Sequence, residues 1–352
     1  MNAQTTPFNP LEICRSNVKK LQAYTSARDE YVSDGSKMIF LDANENPNET
    51  GANRYPDPIQ RPLKKLWAQQ KGVSEDQILF GNGSDEVLDL LFRAFCNPAI
   101  DEIITLPPTY GMYEVLAGIN DVKNTQIPLS PRFQIDTESV LSALKPSVKL
   151  LFVCSPNNPS GNLMDVQAVQ KILGASQGIV VVDEAYIDFT QQDSYVTLLK
   201  QYPNLVVTQT LSKAYGLAGI RLGVLMASAE IISILHKIKP PYNVNTLSQE
   251  QAALRLANPE VVQSEIRDIL EQRNQLESAL KEVSFVEETI PSQTNFILAR
   301  VDHATKRYAQ LIEKGIVVRN RSKQLHCENT LRFTVGTPLE NKVLIDTLKS
   351  LA

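Results

Sequence analysis

Residues 205–223 read LVVTQTLSKAYGLAGIRLG, a short β-rich run followed by a lysine and then by small residues. The run Leu205–Thr210 predicts a buried strand, and Lys213 comes shortly after its end. Loss of hydration at a strand end disfavours the charged ammonium, and a neutral amine can form a Schiff base with an aldehyde. Ser212 and Arg221 flank the lysine and are suited to binding a phosphate group. A lone lysine is more often a solvated surface charge, so this interpretation depends on the rest of the chain.

Short apolar runs of the same kind recur along the chain. The predicted strands are Glu102–Leu106, Leu150–Cys154, Ile179–Val182 and Leu222–Met226, and helix-length amphipathic segments separate them. This alternation predicts βαβ units and a mostly parallel central sheet flanked by helices, an α/β fold. A long stretch of helical periodicity, Leu247–Val283, follows, and mixed strands and helices return from Thr294. We therefore predict a large domain over 41–245, a smaller α+β domain over 246–352, and an N-terminal segment, 1–40, that is an arm or part of the smaller domain.

Composition argues against several function classes. The chain has 352 residues, of which 43% are hydrophobic, enough for two domains. Its net charge is −4 and no basic stripe occurs, which argues against a nucleic-acid partner. No apolar run reaches the roughly 20 residues of a membrane span, and the polar N-terminus lacks an apolar signal core, which predicts a cytoplasmic protein. The four cysteines and three histidines show no metal-ligand spacing, so we expect no metal site.

Four polar loops follow predicted strands or begin helices. Ligands of open α/β sheets bind outside the carboxyl ends of the strands, so these loops are expected to converge. The loop GNGSDE, 81–86, opens a helix for which Ser84 is a predicted N-cap, and its free N–H groups suit an anion. In SPNNPSG, 155–161, Asn158 presents an amide, and in PPTY, 107–110, Tyr110 presents a ring. Asp183 ends a strand and needs a cationic partner once buried, and Tyr186 follows it.

Each loop has an ordinary structural explanation when taken alone: a capped glycine turn, a tight proline turn, a salt-bridged aspartate or a core tyrosine. Together the loops supply an anion cradle, a stacking ring, donors for a phenolate oxygen and a partner for a protonated pyridine nitrogen, beside an imine-forming lysine. This combination favours a phosphorylated pyridine aldehyde, pyridoxal 5'-phosphate, as the cofactor.

The segments SPNNPSG, VVVDEAY (180–186) and TLSKAYGLAGIRLG (210–223) resemble the fold-type I, pyridoxal-phosphate-dependent aminotransferases. The resemblance implies that Lys213 bonds to the cofactor and acts as the catalytic base, that Asp183 pairs with the ring nitrogen, and that Tyr110 stacks on the ring. It also implies that the 3-oxygen is bound by Asn158 and Tyr186. For the cofactor phosphate it implies the backbone at Ser84 and Asp85, the side chains of Ser212 and Arg221, and Thr210 as a possible helper. It also implies that the partner subunit's Tyr55 reaches this phosphate, and therefore that the protein is a homodimer.

Within that family, LDANENP (41–47), PPTYGMY (107–113) and LRFTVGT (331–337) resemble the histidinol-phosphate aminotransferases. This resemblance implies transamination between histidinol phosphate and 2-oxoglutarate, giving imidazole-acetol phosphate and glutamate, in histidine biosynthesis. It implies that Arg332 binds a substrate carboxylate and that Arg319 and Tyr24 hold the substrate phosphate. The candidates for contact with the imidazole are Tyr24, Asn44 and Tyr242.

Two other interpretations stay open at this point. Another small fold-type I enzyme, either a threonine-phosphate decarboxylase or an aromatic amino-acid aminotransferase, shares the cofactor apparatus and differs only in the substrate pocket. A non-catalytic cofactor-binding or regulatory module is disfavoured, because such regulators carry a basic DNA-binding segment and none is found in the sequence.

Overall fold

A seven-stranded mixed sheet forms the larger part of the protein in the computed structural model, which describes residues 8–23 and 38–351. Its strands are β1 (Ile78–Gly81), β2 (Glu102–Thr105), β3 (Lys123–Gln126), β4 (Val148–Cys154), β5 (Ile179–Asp183), β6 (Leu205–Thr210) and β7 (Gly223–Met226). They lie in the order β1-β7-β6-β5-β4-β2-β3. Six of these strands run in one direction, and β7 runs in the opposite direction between β1 and β6. The predicted α/β fold with a mostly parallel central sheet is therefore confirmed.

The middle of this sheet is buried on both faces. In β5 every residue is buried, and successive side chains point to opposite faces of a strand. Val180 and Val182 accordingly join one apolar cluster, while Ile179 and Val181 join a second cluster on the other face. A continuous apolar run is the pattern expected of a parallel strand covered on both sides, and it explains why β4, β5 and β6 could be recognised from the sequence.

Helices cover both faces and lead from one strand to the next. Those of the larger sheet are α1 (Pro10–Ile13), α2 (Ser16–Lys20), α3 (Arg61–Lys71), α4 (Ser84–Phe95), α5 (Met112–Ile119), α6 (Thr137–Ala143), α7 (Val166–Ala175), α8 (Ala229–His236) and α9 (Thr246–Leu256). Cys14 and Val18, from the N-terminal segment, pack into the same apolar cluster as α4, and the N–H of Arg15 donates to the carbonyl of Ala94 at 2.9 Å. The described part of the N-terminal segment therefore lies against the larger sheet.

A smaller antiparallel sheet follows in the C-terminal part of the chain. Its strands are β8 (Val286–Ile290), β9 (Phe296–Val301), β10 (Arg319–Asn320) and β11 (Thr330–Thr334), in the order β10-β11-β9-β8. The accompanying helices are α10 (Pro259–Lys281), α11 (Ala304–Glu313) and α12 (Pro338–Ser350). Apolar residues of all three helices, among them Leu280, Leu311 and Leu348, form one core with this sheet. The region from 259 to 350 thus has its own apolar core.

Some boundaries differ from the sequence predictions. The helical periodicity over Leu247–Val283 corresponds to two helices, α9 and α10, because Pro259 lacks an N–H and is tolerated only in the first turn of a helix. Ser84 is the first helical residue rather than the N-cap, a position that Gly83 occupies, so the predicted cap was wrong by one residue. The strand β3 has the polar sequence KNTQ at a sheet edge and gave no apolar signal. Within residues 8–23 and 38–351, no helix combines the length and apolar character needed to cross a membrane.

Candidate active site

The carboxyl ends of five strands meet at one edge of the larger sheet. The strands β1, β2, β4, β5 and β6 run in the same direction, and the residues that follow them surround a pocket of about 360 Å³. The predicted site residues lining this pocket are Ser84, Asp85, Tyr110, Asn158, Asp183, Tyr186, Thr210, Ser212, Lys213, Arg221, Arg319 and Arg332. The convergence expected from the sequence is therefore present.

Lys213 lies on the wall of this pocket and is exposed to it. Its pKa is lowered, first because burial between the pocket walls disfavours the ammonium, and then because the guanidinium groups of Arg332 and Arg221 repel a further positive charge. Its Nζ lies 5.7 Å from the ring centroid of Tyr186. The sequence predicted the first cause alone, and the structure adds the two arginines.

Asp183 is the last residue of β5 and is only 4% exposed. Its Oδ2 accepts a hydrogen bond from the hydroxyl of Tyr113 at 2.6 Å, and its Oδ1 accepts one from the N–H of Ala185 at 3.2 Å. Burial raises the pKa of Asp183, and these hydrogen bonds oppose that rise. No cation within the described residues forms an ion pair with it. A buried carboxylate of this kind is suited to a cationic nitrogen on a bound group.

An anion cradle is built where α4 begins. A Cβ on Gly83 would lie 2.6 Å from Nη2 of Arg221, and a Cβ on Gly223 would lie 2.5 Å from the backbone nitrogen of Ser84. Gly83 also has a φ of +87°, a conformation that favours glycine. These glycines bring the guanidinium of Arg221 directly against the N-terminus of a twelve-residue helix. Free N–H groups, the positive end of the helix dipole and a guanidinium together suit a phosphate.

The remaining predicted cofactor contacts stand around the same pocket. The hydroxyl of Tyr110 donates to Oδ1 of Asp85 at 3.1 Å, which fixes the ring in place. Oδ1 of Asn158 accepts a hydrogen bond from Arg332. The ring of Tyr186 packs edge-on against Phe296 with centroids 5.2 Å apart, so it links the larger sheet to the smaller one. Burial raises the pKa of both tyrosines, which keeps their hydroxyls protonated and able to donate.

The smaller sheet contributes three arginines to this pocket. Arg319 and Arg332 are directly opposite each other in the β10–β11 pair, and Arg321 lies just beyond β10. Sequence analysis missed Arg321, although its position two residues after Arg319 was a usable signal, since alternate residues of a strand share a face. It also missed Tyr113, which lies in the PPTYGMY segment, and the wall residues Cys154, Ala185 and Ala218.

Three predicted residues do not join Lys213 within one chain. Asn44, Tyr55 and Tyr242 line a different pocket, of about 610 Å³. The rings of Tyr55 and Tyr242 stack there with centroids 4.6 Å apart, and Tyr55 is 50% exposed. Tyr24, the other predicted substrate contact, lies outside the described residues. A contribution of Tyr55 to the active site of a neighbouring subunit stays a prediction.

Residues 31–348 match the family model of the class I and II aminotransferases. The chain belongs to this family. It is 58% identical over 345 residues to the histidinol-phosphate aminotransferase of Flavobacterium johnsoniae, an alignment that covers 98% of this chain and 99% of its relative. The resemblance found in the sequence is thereby confirmed, and the protein is an aminotransferase.

Solved structures agree on the fold. The histidinol-phosphate aminotransferase of Clostridium acetobutylicum superposes with a TM-score of 0.79 at 24% identity, over 86% of this chain and 91% of that one. The enzyme of Sinorhizobium meliloti in complex with pyridoxal-5'-phosphate gives 0.76 at 22% identity, over 85% and 84% of the two chains. At such identities the superposition establishes the architecture alone, so substrate and cofactor are argued from the site itself.

Proposed function

We propose that the protein uses pyridoxal 5'-phosphate to transfer an amino group between histidinol phosphate and 2-oxoglutarate, giving imidazole-acetol phosphate and glutamate. The Flavobacterium johnsoniae relative bears the name of this activity. The observation that carries the proposal is the group of three arginines, Arg319, Arg321 and Arg332, in the pocket that contains Lys213. Three guanidinium groups beyond the phosphate cradle at Arg221 indicate a substrate that is itself strongly anionic.

The residues present fit the proposed cofactor. The carboxylate of Asp183, which forms no ion pair within the described residues, suits a protonated ring nitrogen, Asn158 and Tyr186 suit the 3-oxygen, and Tyr110 suits a stacking contact. The phosphate would be held at the start of α4 by the backbone N–H groups of Ser84 and Asp85 and by the side chains of Thr210, Ser212 and Arg221. When bound, the cofactor draws electrons away from the α-carbon of the substrate and so acidifies its C–H bond.

The protein's own groups then move one proton and bind the carboxylate of the amino donor or acceptor. Nζ of Lys213 would accept the α-proton as a general base, and the lowering of its pKa favours the neutral amine that this role requires. Arg332 holds the carboxylate of glutamate or 2-oxoglutarate in a two-point contact.

We also propose that the enzyme is a cytoplasmic homodimer in which the partner subunit's Tyr55 completes the site. The half-exposed Tyr55 lines a pocket that does not include Lys213 of its own chain, which supports a role in a second copy. The four cysteines are free and buried, as is usual in a reducing compartment.

A substrate comparison tests this proposal. We expect the reconstituted enzyme to form glutamate from histidinol phosphate and 2-oxoglutarate with a kcat/KM about 100-fold above that for phenylalanine. L-Threonine O-phosphate should release no carbon dioxide. A higher kcat/KM for phenylalanine, or carbon dioxide released from threonine phosphate, would overturn the assignment in favour of an aromatic aminotransferase or a decarboxylase respectively.

A further inference from the structure

Arg321 occupies a defined place beside the active-site pocket. Its backbone N–H donates to the carbonyl of Thr330 at 3.0 Å, so the pairing of β10 with β11 continues through this residue. Side chains alternate along a strand, so Arg321 shares a face with Arg319. Arg332, which is directly opposite Arg319 on the neighbouring strand, lies on the same face. All three arginines line the pocket that contains Lys213.

Arg321 is half-buried, whereas Arg319 is exposed. Its Nε is buried and has no hydrogen-bond partner among the residues that the structure describes. A buried N–H of a guanidinium group is costly to leave without an acceptor, and the side chain that carries this one lines the pocket. Such a donor is suited to an acceptor that arrives with a ligand.

The charges around Arg321 define that acceptor. Burial, then Arg332 and Arg319, lower the pKa of Arg321 to about 10, which leaves it cationic at neutral pH. The two carboxylates of the pocket are engaged elsewhere, Asp85 by Tyr110 and Asp183 by Tyr113. This end of the pocket is therefore lined by positive charge, and a ligand group bound here must be an anion.

The two amino donors of the proposed reaction carry different anions near the reacting carbon: glutamate has its α-carboxylate directly on that carbon, and histidinol phosphate has its phosphate attached through a CH2–O link. Glutamate has a carboxylate with one negative charge, and a single arginine meets it with two parallel hydrogen bonds. Histidinol phosphate has a phosphate monoester with nearly two charges and three acceptor oxygens. The phosphate thus has charge and acceptors for more than one guanidinium group.

We propose that Arg321 binds the phosphate of the phosphorylated substrate, and that this contact makes the site bind a phosphate more tightly than a carboxylate. The identity of that substrate rests on the proposed function. Arg332 remains the contact common to both amino donors, and Arg321 is the specificity-determining residue. Backbone hydrogen bonds, which do not involve the Arg321 side chain, hold this segment: the N–H of Gln324 donates to the carbonyl of Arg321 at 2.9 Å. Truncation of the side chain should therefore leave the loop in place.

The test compares Arg321→Gln with Arg132→Gln, which changes an exposed arginine outside the pocket. In holoenzyme kinetics we expect Arg321→Gln to raise KM for histidinol phosphate about tenfold with little change in kcat, since one charged hydrogen-bond set is lost. KM for glutamate, and for histidinol without its phosphate, should stay within about threefold of wild type. Arg132→Gln should change none of these values, and equal effects on phosphorylated and unphosphorylated substrates would overturn the inference.

A binding measurement separates this inference from the proposed function. Inorganic phosphate and acetate are titrated into holoenzyme, in which the cofactor already fills its own phosphate cradle, and the visible spectrum is followed. Arg321→Gln should raise the Kd of phosphate at least about fivefold and leave that of acetate unchanged. An unchanged phosphate Kd overturns the role of Arg321 whether or not histidinol phosphate is a substrate. A raised Kd in an enzyme that ignores histidinol phosphate supports the phosphate site and rejects the proposed substrate.

Discussion

The reactivity of a single residue, Lys213, is set by its surroundings rather than by its type. We expect Lys213→Ala to lower turnover by about 10³-fold or more, because the variant loses both the base and the amine that bonds the cofactor. Lys213→Arg retains a charge that is not lost at neutral pH, so it should be equally inactive. The measurement is amino-group transfer, with borohydride trapping of the cofactor on wild-type protein. Near-normal transfer by either variant would show that another group performs these roles.

Tyr113 is a positioning residue for the carboxylate of Asp183. Its hydroxyl donates to Asp183 at 2.6 Å, and its ring stacks on Phe152 with centroids 4.8 Å apart. Tyr113→Phe keeps the ring and removes the donor, so we expect the free energy of unfolding to fall by about 1–3 kcal/mol. The pKa of Asp183 should rise further, since a bond to its ionised form is lost.

A less ionised Asp183 is a poorer partner for a cationic ring nitrogen. We therefore expect Tyr113→Phe to weaken binding of pyridoxal phosphate and to lower kcat, each by about tenfold. The Kd of the cofactor is measured by titrating apoenzyme and following the visible absorbance. Tyr202→Phe, which removes a hydroxyl from the protein surface, is the matched control. Cofactor affinity equal to wild type in Tyr113→Phe would reject the positioning role.

At the scale of elements, the end of β5 holds two adjacent carboxylates in different surroundings. Glu184 follows Asp183 and is fully buried, with bonds from the hydroxyl of Ser194 at 2.5 Å, the amide of Gln209 at 2.7 Å and the N–H of Tyr195 at 2.7 Å. Burial is the largest influence and raises the pKa of Glu184 from its usual 4.5 to about 7. The folded protein therefore binds a proton here that the unfolded chain has already lost.

That difference makes stability depend on pH. As pH rises from about 4.5 to about 7, the unfolded chain ionises Glu184 first, so this residue lowers the free energy of unfolding progressively, by at most about 3 kcal/mol, and adds no slope above that window. Glu184→Gln should lose this slope, because an amide does not titrate. Oε1 of Gln209 has no partner among the described residues. If the amide of Gln209 flips, this oxygen can accept a hydrogen bond from the amide of the new glutamine at position 184. Denaturant unfolding at several pH values gives the comparison, and parallel pH profiles for wild type and variant would contradict it.

The elements that could be predicted from the sequence are those with a local signal. The strand β5 is a continuous apolar run ending in Asp183, and the loops after it carry distinctive residues, so both the strand and the loop were found. Edge strand β3 has no apolar pattern, and the break before Pro259 divides a periodicity that continues on either side. The contacts of Arg321 depend on the register between β10 and β11 and on how the smaller sheet meets the larger one. The two-residue spacing from Arg319 indicates that both side chains share a face, but the pocket that this face lines is a tertiary property that no short segment encodes.

At the scale of the whole molecule, the site divides between two sheets and, as we propose, between two chains. The larger sheet supplies the strand ends around Lys213, and the smaller sheet supplies the arginines. Tyr55 lies in a separate pocket of its own chain, beside the exposed side chain of Leu247. Ile39 and Leu41 in the preceding segment are also strongly exposed, at 85% and 88%. Large apolar side chains left on a surface are typical of an interface, which fits a second copy of the chain.

Subunit mixing tests whether Tyr55 acts across such an interface. Lys213→Ala and Tyr55→Ala homodimers should each be strongly impaired. If the partner subunit's Tyr55 completes each site, a mixed dimer combines both lesions in one site and leaves the other intact. Random exchange then restores about one quarter of wild-type activity, because half of the dimers are mixed and each has one working site. Mixing Lys213→Ala with Lys213→Arg is the control and should restore nothing, since every site lacks the lysine. Absence of recovery in the first mixture, with exchange verified by mass spectrometry of the dimers, would show that Tyr55 contributes to the active site of its own chain.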